Sequence, residues 1–260
     1  MKDKVIVITG ASSGIGAALA AEVVKRGAKG VILAARREPA LRTLAAQLGP
    51  TTRAVVADVS VRADNERLRA AAIDAFGQLD VFVANAGRGI SRTVSELTDA
   101  DIDDMMTTNF KSVLYGIQAV LPTFQQQQHG QIVAVSSMLG RISLAAMRSS
   151  YSASKAAVNS LMASLRLELY PTFPNIFATT IMPGVVATDF GTNALHGGVD
   201  SRKIPSAQPV EEVATVIADA IAHPVAEVYS RPGMRDMALK YFSAEDVATV
   251  EKTFTPPGPR

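Results

Sequence analysis

The sequence contains no cysteine, and it has only three histidines among its 260 residues. The absence of cysteine excludes disulfide bonds and cysteine-based catalysis, and it fits the cytoplasmic location that we expect. The histidines are His129, His196 and His223, which lie far apart in segments typical of loops. We therefore expect no metal site built from them, and we interpret each as a solvated surface residue.

The chain also lacks a strong charge imbalance and a long apolar run. Its net charge is only +2, so nothing favours a nucleic-acid partner. No apolar stretch approaches the roughly 20 residues of a membrane-spanning helix. A strand pattern begins at Val5, which leaves no room for a signal peptide. With 48% hydrophobic residues, the sequence predicts one α/β domain over residues 1–260.

Short apolar runs alternate with amphipathic stretches along the chain. The runs predict buried strands at 5–9, 31–35, 54–58, 81–85, 132–136, 176–182 and, more weakly, 228–230. The stretches between them predict helices at about 14–26, 38–48, 62–76, 99–123, 151–170 and 209–222. Continuously apolar strands indicate a sheet that is covered on both faces. The pattern predicts a Rossmann-type, doubly wound sheet of seven mostly parallel strands with helices on both faces.

Three segments depart from this alternation. The polar run Gln125–Gln128 is most simply a solvated connection between a helix and a strand. Residues 187–208 are rich in glycine and polar residues, as in a loop that acts as a substrate lid. The tail at about 231–260 contains one possible short helix, at 234–242, and its last residues are expected to be frayed.

A glycine-rich turn follows the first predicted strand and opens the first helix. Glycines there permit a tight turn and a close approach of the backbone to a phosphate, and the helix N-terminus adds amides and a partial positive charge. In this position the turn predicts a dinucleotide site. The residues that we expect to contact the cofactor there are Gly10, Ser12, Ser13, Gly14, Ile15 and Gly16.

The end of the second strand indicates which dinucleotide binds. NAD sites usually have a carboxylate there for the ribose 2′-hydroxyl, whereas an arginine accommodates the 2′-phosphate of NADP. This chain has Arg36 and Arg37, and Glu38 comes one position too late. Guanidinium groups suit phosphate, so the sequence favours NADP(H), although both arginines could instead be solvated at the start of a helix.

Tyr151 and Lys155 lie four residues apart in a helical stretch, so they share one face. A positive charge beside a phenol lowers its pKa from about 10, which would let Tyr151 give and take a proton near neutral pH. Many such pairs are ordinary surface contacts, so the spacing alone is weak support for catalysis.

Taken together, these motifs resemble the short-chain dehydrogenase/reductase family in its compact single-domain branch. The resemblance covers residues 4–230 and rests on motifs that occur in the family's order. Beyond the glycine turn, the matching positions are Asp58, Val59, Asn85, Ala86, Gly87, Asn109, Ser137, Tyr151, Lys155, Pro183, Gly184, Val186 and Thr188.

The resemblance implies an oxidoreductase that interconverts a ketone or aldehyde and an alcohol. Tyr151 would be the general acid/base, Lys155 would lower its pKa and bind the nicotinamide ribose, and Ser137 would polarise the substrate oxygen. Asn109 would hold a water that links Lys155 to solvent. The remaining matching positions would contact the cofactor, and a homodimer or homotetramer is expected.

The chain departs from the family pattern in one place, because it has one residue more than usual between the serine and the tyrosine. The usual spacing would select Met138, which cannot donate the hydrogen bond. We therefore take Ser137 as the catalytic serine, with Ser136 and Ser143 as lesser alternatives.

The segments around the expected pocket indicate the class of substrate. Segments expected to line the pocket offer Ile90, Met138, Leu139, Ile142, Leu144, Met147, Phe190 and Leu195. They favour an apolar carbonyl compound or alcohol. Four arginines flank the expected mouth, namely Arg88, Arg92, Arg141 and Arg148. They could favour an anionic substrate such as an acyl-carrier-protein thioester, or they could simply be solvated.

The sequence is also compatible with other functions. The chain could be an NAD-linked secondary-alcohol dehydrogenase, or a non-catalytic NADP-binding regulatory protein. A sugar-nucleotide epimerase is disfavoured, since only about 30 residues follow the last strand. Self-association is expected through the helices at about 99–123 and 151–170. Five small residues there would allow close packing between copies or against the protein's own interior: Ala153, Ala156, Ala157, Ser160 and Ala163.

Overall fold

A computed structural model describes residues 1–254, and it contains one parallel sheet of seven strands. The strands are β1 (Val5–Thr9), β2 (Gly30–Ala35), β3 (Thr52–Val56), β4 (Val81–Ala84), β5 (Gly130–Val135), β6 (Ile176–Met182) and β7 (Glu227–Tyr229). Their order across the sheet is β3-β2-β1-β4-β5-β6-β7. The predicted Rossmann-type fold is therefore confirmed, with the change of winding direction between β1 and β4.

Helices cover both faces of this sheet. They are α1 (Gly14–Lys25), α2 (Glu38–Leu48), α3 (Arg62–Phe76), α4 (Asp99–Met105), α5 (Ser112–Gln127), α6 (Ser149–Leu169), α7 (Val210–Ala222), α8 (Met234–Phe242) and α9 (Val247–Glu251). None of the helices in residues 1–254 is long and apolar enough to cross a membrane.

Two apolar layers sandwich the sheet, because successive strand residues point to opposite faces. Val5 and Val7 face the layer formed by α3, α5 and α6. Ile6 and Ile8 face the layer formed by α1, α2 and α7. This two-sided burial explains why the strands read as continuous apolar runs in the sequence.

Several element boundaries differ from the sequence prediction. Strand β3 lies two residues earlier than predicted, and Gln125–Gln127 form the last turn of α5 rather than a connection. The predicted helix at 99–123 is divided by a π-helical segment, Met106–Lys111. The helix predicted at 234–242 is present as α8, whereas α9 was not predicted. The end of the tail expected to be frayed, residues 255–260, lies outside the described residues.

The small residues of α6 turn outward. Ala153, Ala156 and Ser160 are exposed, while Ala157 and Ala163 are half-buried. The three exposed side chains therefore do not pack against the protein's own interior. They form an exposed face of α6 in the single chain.

Helix α5 approaches the sheet closely at Gly116. A Cβ atom at this position would lie 2.3 Å from Cε1 of Phe82 in β4, well inside van der Waals contact. The Phe82 ring is itself 1% exposed and cannot move into solvent. The helix can therefore lie this close to the sheet only because residue 116 has no side chain.

We predict that Gly116→Ala lowers the free energy of unfolding by about 1–3 kcal/mol, because overpacking exceeds the roughly 1 kcal/mol gain in helix propensity. Urea unfolding of the purified protein measures the change. Phe82→Leu should relieve the clash, so the double variant should lose less stability than the two single variants added together. Additive losses would show that the ring is not the obstacle.

Candidate functional site

A cavity of about 1410 Å³ opens at the carboxyl ends of the strands, around the junction of β1 and β4. This is the place where doubly wound sheets bind ligands. Nearly all of the site residues predicted from the sequence line this cavity. They are Gly10, Ser12, Ser13, Gly14, Ile15, Arg36, Arg37, Asp58, Val59, Asn85, Ala86, Gly87, Ser137, Tyr151, Lys155, Pro183, Gly184, Val186 and Thr188. Two predicted residues, Gly16 and Asn109, lie behind the wall instead.

The glycine turn after β1 is shaped by close backbone contacts. Gly10 and Gly14 have φ angles of +66° and +55°, which favour glycine. A Cβ at Gly10 would lie 2.9 Å from Cα of Ala86. A Cβ at Gly16 would lie 2.5 Å from the Gly10 carbonyl oxygen, so Gly16 shapes the turn and does not line the cavity.

Thr9 and Asn85 join the carboxyl ends of β1 and β4. The Thr9 hydroxyl donates to the Val83 carbonyl (3.1 Å) and accepts from the main-chain N–H groups of Asn85 (3.0 Å) and Ala86 (3.1 Å). In return, the Asn85 amide donates to the Thr9 carbonyl (2.8 Å). The network fixes the two loops that form the floor of the cavity. Thr9 was not among the predicted site residues, although its position at the end of β1, directly before the glycine turn, could have indicated it.

The arginines after β2 lie at the cavity edge beside the glycine turn. Arg37 donates to the hydroxyls of Ser12 (3.1 Å) and Ser13 (2.7 Å). Arg36 is 73% exposed and lies 3.9 Å from the Asp58 carboxylate. Glu38 faces away, because it accepts a hydrogen bond from Arg42 on the first turn of α2 (2.7 Å). This edge therefore presents two guanidinium groups, and the nearest carboxylate of β2 and α2 is engaged elsewhere.

Asp58 shapes the loop after β3. Its carboxylate accepts from the main-chain N–H (3.0 Å) and the hydroxyl (2.6 Å) of Ser60, and its own N–H donates to Asp64 (2.7 Å). Val59, which lies between Asp58 and Ser60 in the sequence, lines the cavity. Ser60, which the sequence prediction missed, also lines it.

The structure brings Ser137 next to Tyr151 in spite of the extra residue in the loop. The Ser137 hydroxyl accepts from the Leu139 N–H (3.1 Å) and forms a hydrogen bond with Tyr151 that favours the phenolate. Ser136 donates to the Lys155 carbonyl (3.1 Å), and Ser143 is exposed outside the cavity. Ser137 is thus the hydroxyl that accompanies the tyrosine.

The Tyr151 phenol is buried, with only 8% of the residue exposed. Burial raises the pKa of Tyr151 above its usual range, and the hydrogen bond with Ser137 and the charge of Arg148 oppose that rise. We expected Lys155 to lower the pKa of Tyr151, but in the unliganded chain the pKa of Tyr151 is raised. Desolvation outweighs the neighbouring charges, and the cation that acts most on the phenol is Arg148.

Lys155 is buried as well, at 3% exposure. Its ammonium group donates to the Val135 carbonyl (2.8 Å) and lies 5.9 Å from the centroid of the Tyr151 ring. Burial lowers the pKa of Lys155 to about 8. The pKa values of Tyr151 and Lys155 therefore move apart, and Lys155 loses its proton at a lower pH than Tyr151 does.

Asn109 lies in the π-helical segment and is completely buried. Its amide nitrogen donates to the Arg88 carbonyl (2.9 Å) and the Ser154 hydroxyl (3.0 Å), and its oxygen accepts from the Arg88 N–H (2.8 Å). The side chain thus joins the loop after β4 to α6, the helix that bears Tyr151 and Lys155. Such π-helical turns are frequent at functional sites.

The loop after β6 forms the opposite wall. The Pro183 carbonyl accepts from the Met138 N–H (2.8 Å), which fixes the loop against the Ser137 turn. Gly184 faces the tail, since a Cβ there would lie 2.2 Å from Cε of Met234. Val186 and Thr188 continue this wall into the irregular segment 187–208.

Only some of the apolar residues predicted to line the pocket line the cavity. Met138, Leu139, Leu144 and Phe190 line it, and the Phe190 ring meets Tyr151 edge-on at 5.5 Å. Ile90 and Leu195 pack against Tyr151 and Phe190 behind the cavity wall. Ile142 packs with Met138, and Met147 is exposed to solvent outside the cavity. The tail adds three residues that the prediction missed, Met234, Met237 and Phe254. The i, i+3 spacing of the two methionines was the signal for them.

The histidines do not gather into a metal site. Residues 1–254 contain no cluster of three or more histidine, aspartate or glutamate side chains that could hold a metal ion. His196 is not simply solvated as predicted, because its ring is 2.6 Å from the Asp101 carboxylate. This contact ties the segment 187–208 to the start of α4.

Comparison with known proteins agrees with this geometry. The family model for short chain dehydrogenases matches residues 4–197. An uncharacterized oxidoreductase of Listeria monocytogenes is 40% identical over 193 residues, which is 73% of this chain and 77% of the relative.

Solved structures of other proteins show the same architecture. A short-chain dehydrogenase/reductase from Burkholderia phymatum, solved with NAD, has a TM-score of 0.84 at 25% identity and covers 100% of this chain and 98% of its own. A short-chain dehydrogenase from Burkholderia cenocepacia, solved with NADP, has a TM-score of 0.82 at 25% identity and covers 98% of this chain and 99% of its own. The matched sequence, the sheet order and the cavity at the β1–β4 junction agree, and the chain belongs to the short-chain dehydrogenase/reductase family of oxidoreductases.

Proposed function

We propose that the protein is an NADP(H)-dependent oxidoreductase that interconverts a ketone or aldehyde and an alcohol, with Tyr151 as general acid/base. The observation that carries the proposal is the buried cluster of Ser137, Tyr151 and Lys155 in the same cavity as the glycine turn. Family relatives solved with NAD and with NADP support a dinucleotide in this cavity. We propose NADP because Arg36 and Arg37 occupy the edge after β2.

The cavity fits the cofactor that the family implies. Gly10 and Gly14 leave the backbone of the turn bare at the start of α1, where amides and the helix dipole favour a phosphate. Arg36, Arg37 and the two serine hydroxyls would hold the 2′-phosphate, and Asp58 with Val59 would flank the adenine. When bound, the nicotinamide supplies the hydride.

Ser137 and Tyr151 would act together on the substrate oxygen. The Ser137 hydroxyl would orient and polarise the carbonyl, and the Tyr151 phenol would donate its proton to the oxygen during reduction. The raised pKa of Tyr151 keeps the phenol protonated in the unliganded chain, which suits a general acid. In alcohol oxidation the same atoms would work in reverse.

Lys155 and Asn109 would support the proton transfer from behind. The Lys155 ammonium is held by Val135 at a position from which it can also reach a ribose hydroxyl and influence Tyr151 electrostatically. The Asn109 amide nitrogen donates to Arg88 and Ser154, and its oxygen accepts one hydrogen bond, so we propose that it positions α6 and that its oxygen alone can accept from a water.

We further propose that copies of the chain associate through the exposed face of α6. Ala153, Ala156 and Ser160 are small and exposed there, which permits a helix of a second copy to approach closely. Exposed Leu167 and Tyr170 extend the apolar surface at the end of the same helix. A homodimer or homotetramer fits this surface, and we propose separately that the protein works in the cytoplasm.

Tyr151→Phe should lower kcat for carbonyl reduction about 10²–10⁴-fold while NADPH affinity changes little, because the ring remains and only the acidic proton is lost. NADPH oxidation over a panel of ketones and aldehydes measures turnover, and fluorescence titration measures binding. Tyr170→Phe, which alters an 81% exposed tyrosine, is the matched control and should retain wild-type turnover. Wild-type turnover in Tyr151→Phe would rule out the acid/base assignment.

The rate of carbonyl reduction should depend on pH through Lys155. Burial lowers the pKa of Lys155 to about 8, so the ammonium is present below this pH and is lost above it. If the ammonium supports proton donation by Tyr151, kcat/KM for reduction should be constant from pH 6.5 to 7.5. It should then fall by up to about tenfold per pH unit above pH 8. A flat profile from pH 7 to 9.5 would contradict this role.

Arg36→Ala and Arg37→Ala should each weaken NADPH binding by roughly 10- to 100-fold, because each removes charge-assisted hydrogen bonds to the 2′-phosphate. NADH binding should change far less. Arg42→Ala is the control, because Arg42 pairs with Glu38 away from the cavity edge. An unchanged ratio of NADPH to NADH affinity in both variants would instead favour an NAD-linked dehydrogenase.

A further inference from the structure

One of the four arginines expected near the cavity mouth differs from the other three in its ion pairing. Three of them have carboxylate partners. The pairs are Arg88–Asp104 at 3.5 Å, Arg92–Asp101 at 2.9 Å and Arg141–Glu227 at 2.6 Å. Within residues 1–254, no carboxylate lies within 4.0 Å of the Arg148 guanidinium, although Arg148 lines the cavity.

Arg148 is held in place from two sides. Its Nη1 donates to the Ile90 carbonyl in the loop after β4 (3.0 Å). Nη1 would be 3.0 Å from a Cβ at Gly89, and Nη2 would be 3.4 Å from a Cβ at Gly198. The guanidinium therefore lies between the loop after β4 and the segment 187–208, and both glycines leave room for it.

The contacts of Arg148 leave one edge of its guanidinium group available. Nη1 makes the hydrogen bond to Ile90, while Nε and Nη2 donate to no atom in the described part of the chain. Nε and Nη2 carry the two parallel N–H bonds that grip a carboxylate side-on. This edge is the geometry that distinguishes an arginine from a lysine as a carboxylate receptor.

The charge of Arg148 is half-buried and has no counter-charge, which is an unfavourable state for a cation unless an anion joins it. Burial lowers the pKa of Arg148, but an arginine remains protonated at neutral pH. Its charge also acts on the Tyr151 phenol, so the guanidinium lies within electrostatic reach of the reacting oxygen. Arg148 is the residue before α6 and precedes Tyr151 by three positions, and both line the same cavity, so one small molecule can contact both groups.

We propose that Arg148 binds the carboxylate of the substrate, and that this substrate is a short-chain oxo acid or the corresponding hydroxy acid. This inference rests on the proposed function and names its substrate class. The carbonyl would lie against Ser137 and Tyr151, with Leu139, Leu144 and Phe190 around the carbon chain. In reduction, the carbonyl carbon gains a hydride from NADPH and the oxygen gains the Tyr151 proton, which yields the hydroxy acid and NADP⁺ with the carboxylate unchanged.

A kinetic experiment compares free acids with their methyl esters, using 2-oxobutanoate, 3-oxobutanoate and 4-oxopentanoate. The wild-type enzyme should favour at least one acid over its ester by tenfold or more in kcat/KM. Arg148→Gln should reduce this acid-to-ester preference about 10- to 100-fold, mainly through KM, and Arg148→Lys should reduce it less. Arg141→Gln removes an equal charge that is paired with Glu227, and it should keep the wild-type preference.

Three results would overturn the inference. One is a wild-type preference for the esters. Another is a preference for an acyl thioester over every free acid, which would favour a carrier-bound substrate. The third is an equal change of the acid-to-ester preference in Arg148→Gln and Arg141→Gln, which would show a general effect of surface charge.

A binding experiment separates this inference from the proposed function. Calorimetric titration of 3-hydroxybutanoate into Tyr151→Phe with NADP⁺ present should give a Kd that rises about 10- to 100-fold when Arg148→Gln is added, but not when Arg141→Gln is added. If Arg148-dependent binding is found but no carbonyl compound is turned over by the wild type, the carboxylate site stands and the proposed activity fails. If neutral ketones are reduced through Tyr151 and no acid binding depends on Arg148, the activity stands and this inference fails.

Discussion

The close contact between the carboxyl ends of β1 and β4 is the constraint on which the rest of the site depends. Thr9 and Asn85 exchange hydrogen bonds across the two strand ends, and Gly10 lies so near Ala86 that a side chain would not fit. These strands are adjacent in the sheet but distant in sequence, so the contact fixes the point where the winding direction changes. The cavity opens there because the following loops must diverge to opposite faces of the sheet.

Burial gives the reacting groups their protonation behaviour. Tyr151 and Lys155 share one face of α6, and both are almost entirely removed from solvent. Desolvation raises the pKa of the phenol and lowers that of the ammonium, since each group loses favourable hydration in its charged form. The Ser137 hydrogen bond and the Arg148 charge then act on the phenol in the opposite direction. The balance between these effects, rather than the Tyr–Lys spacing alone, determines how the site handles protons.

Most of the fold followed from the sequence because the physical signals were local. Continuous apolar runs correspond to strands buried on both faces, and all seven appear near their predicted positions. The division of the long predicted helix by a π-helical turn was not predictable from periodicity, because Asn109 is turned inward by its contacts with Arg88 and Ser154. The extent of α5 was missed for a similar reason, since a polar run such as Gln125–Gln127 can end a helix or connect two elements equally well.

The doubly wound sheet, the glycine turn and the family could all be predicted from the amino-acid sequence, because each depends on short patterns of residue type along the chain. The choice of Ser137 over Ser136 and Ser143 needed the folded chain for support, since the three hydroxyls differ in their contacts but not in their chemistry. Only the tertiary structure decided which arginine is without a carboxylate partner. Ion pairing depends on side chains that are brought together from distant elements, such as Arg141 with Glu227, and no local pattern records those distances.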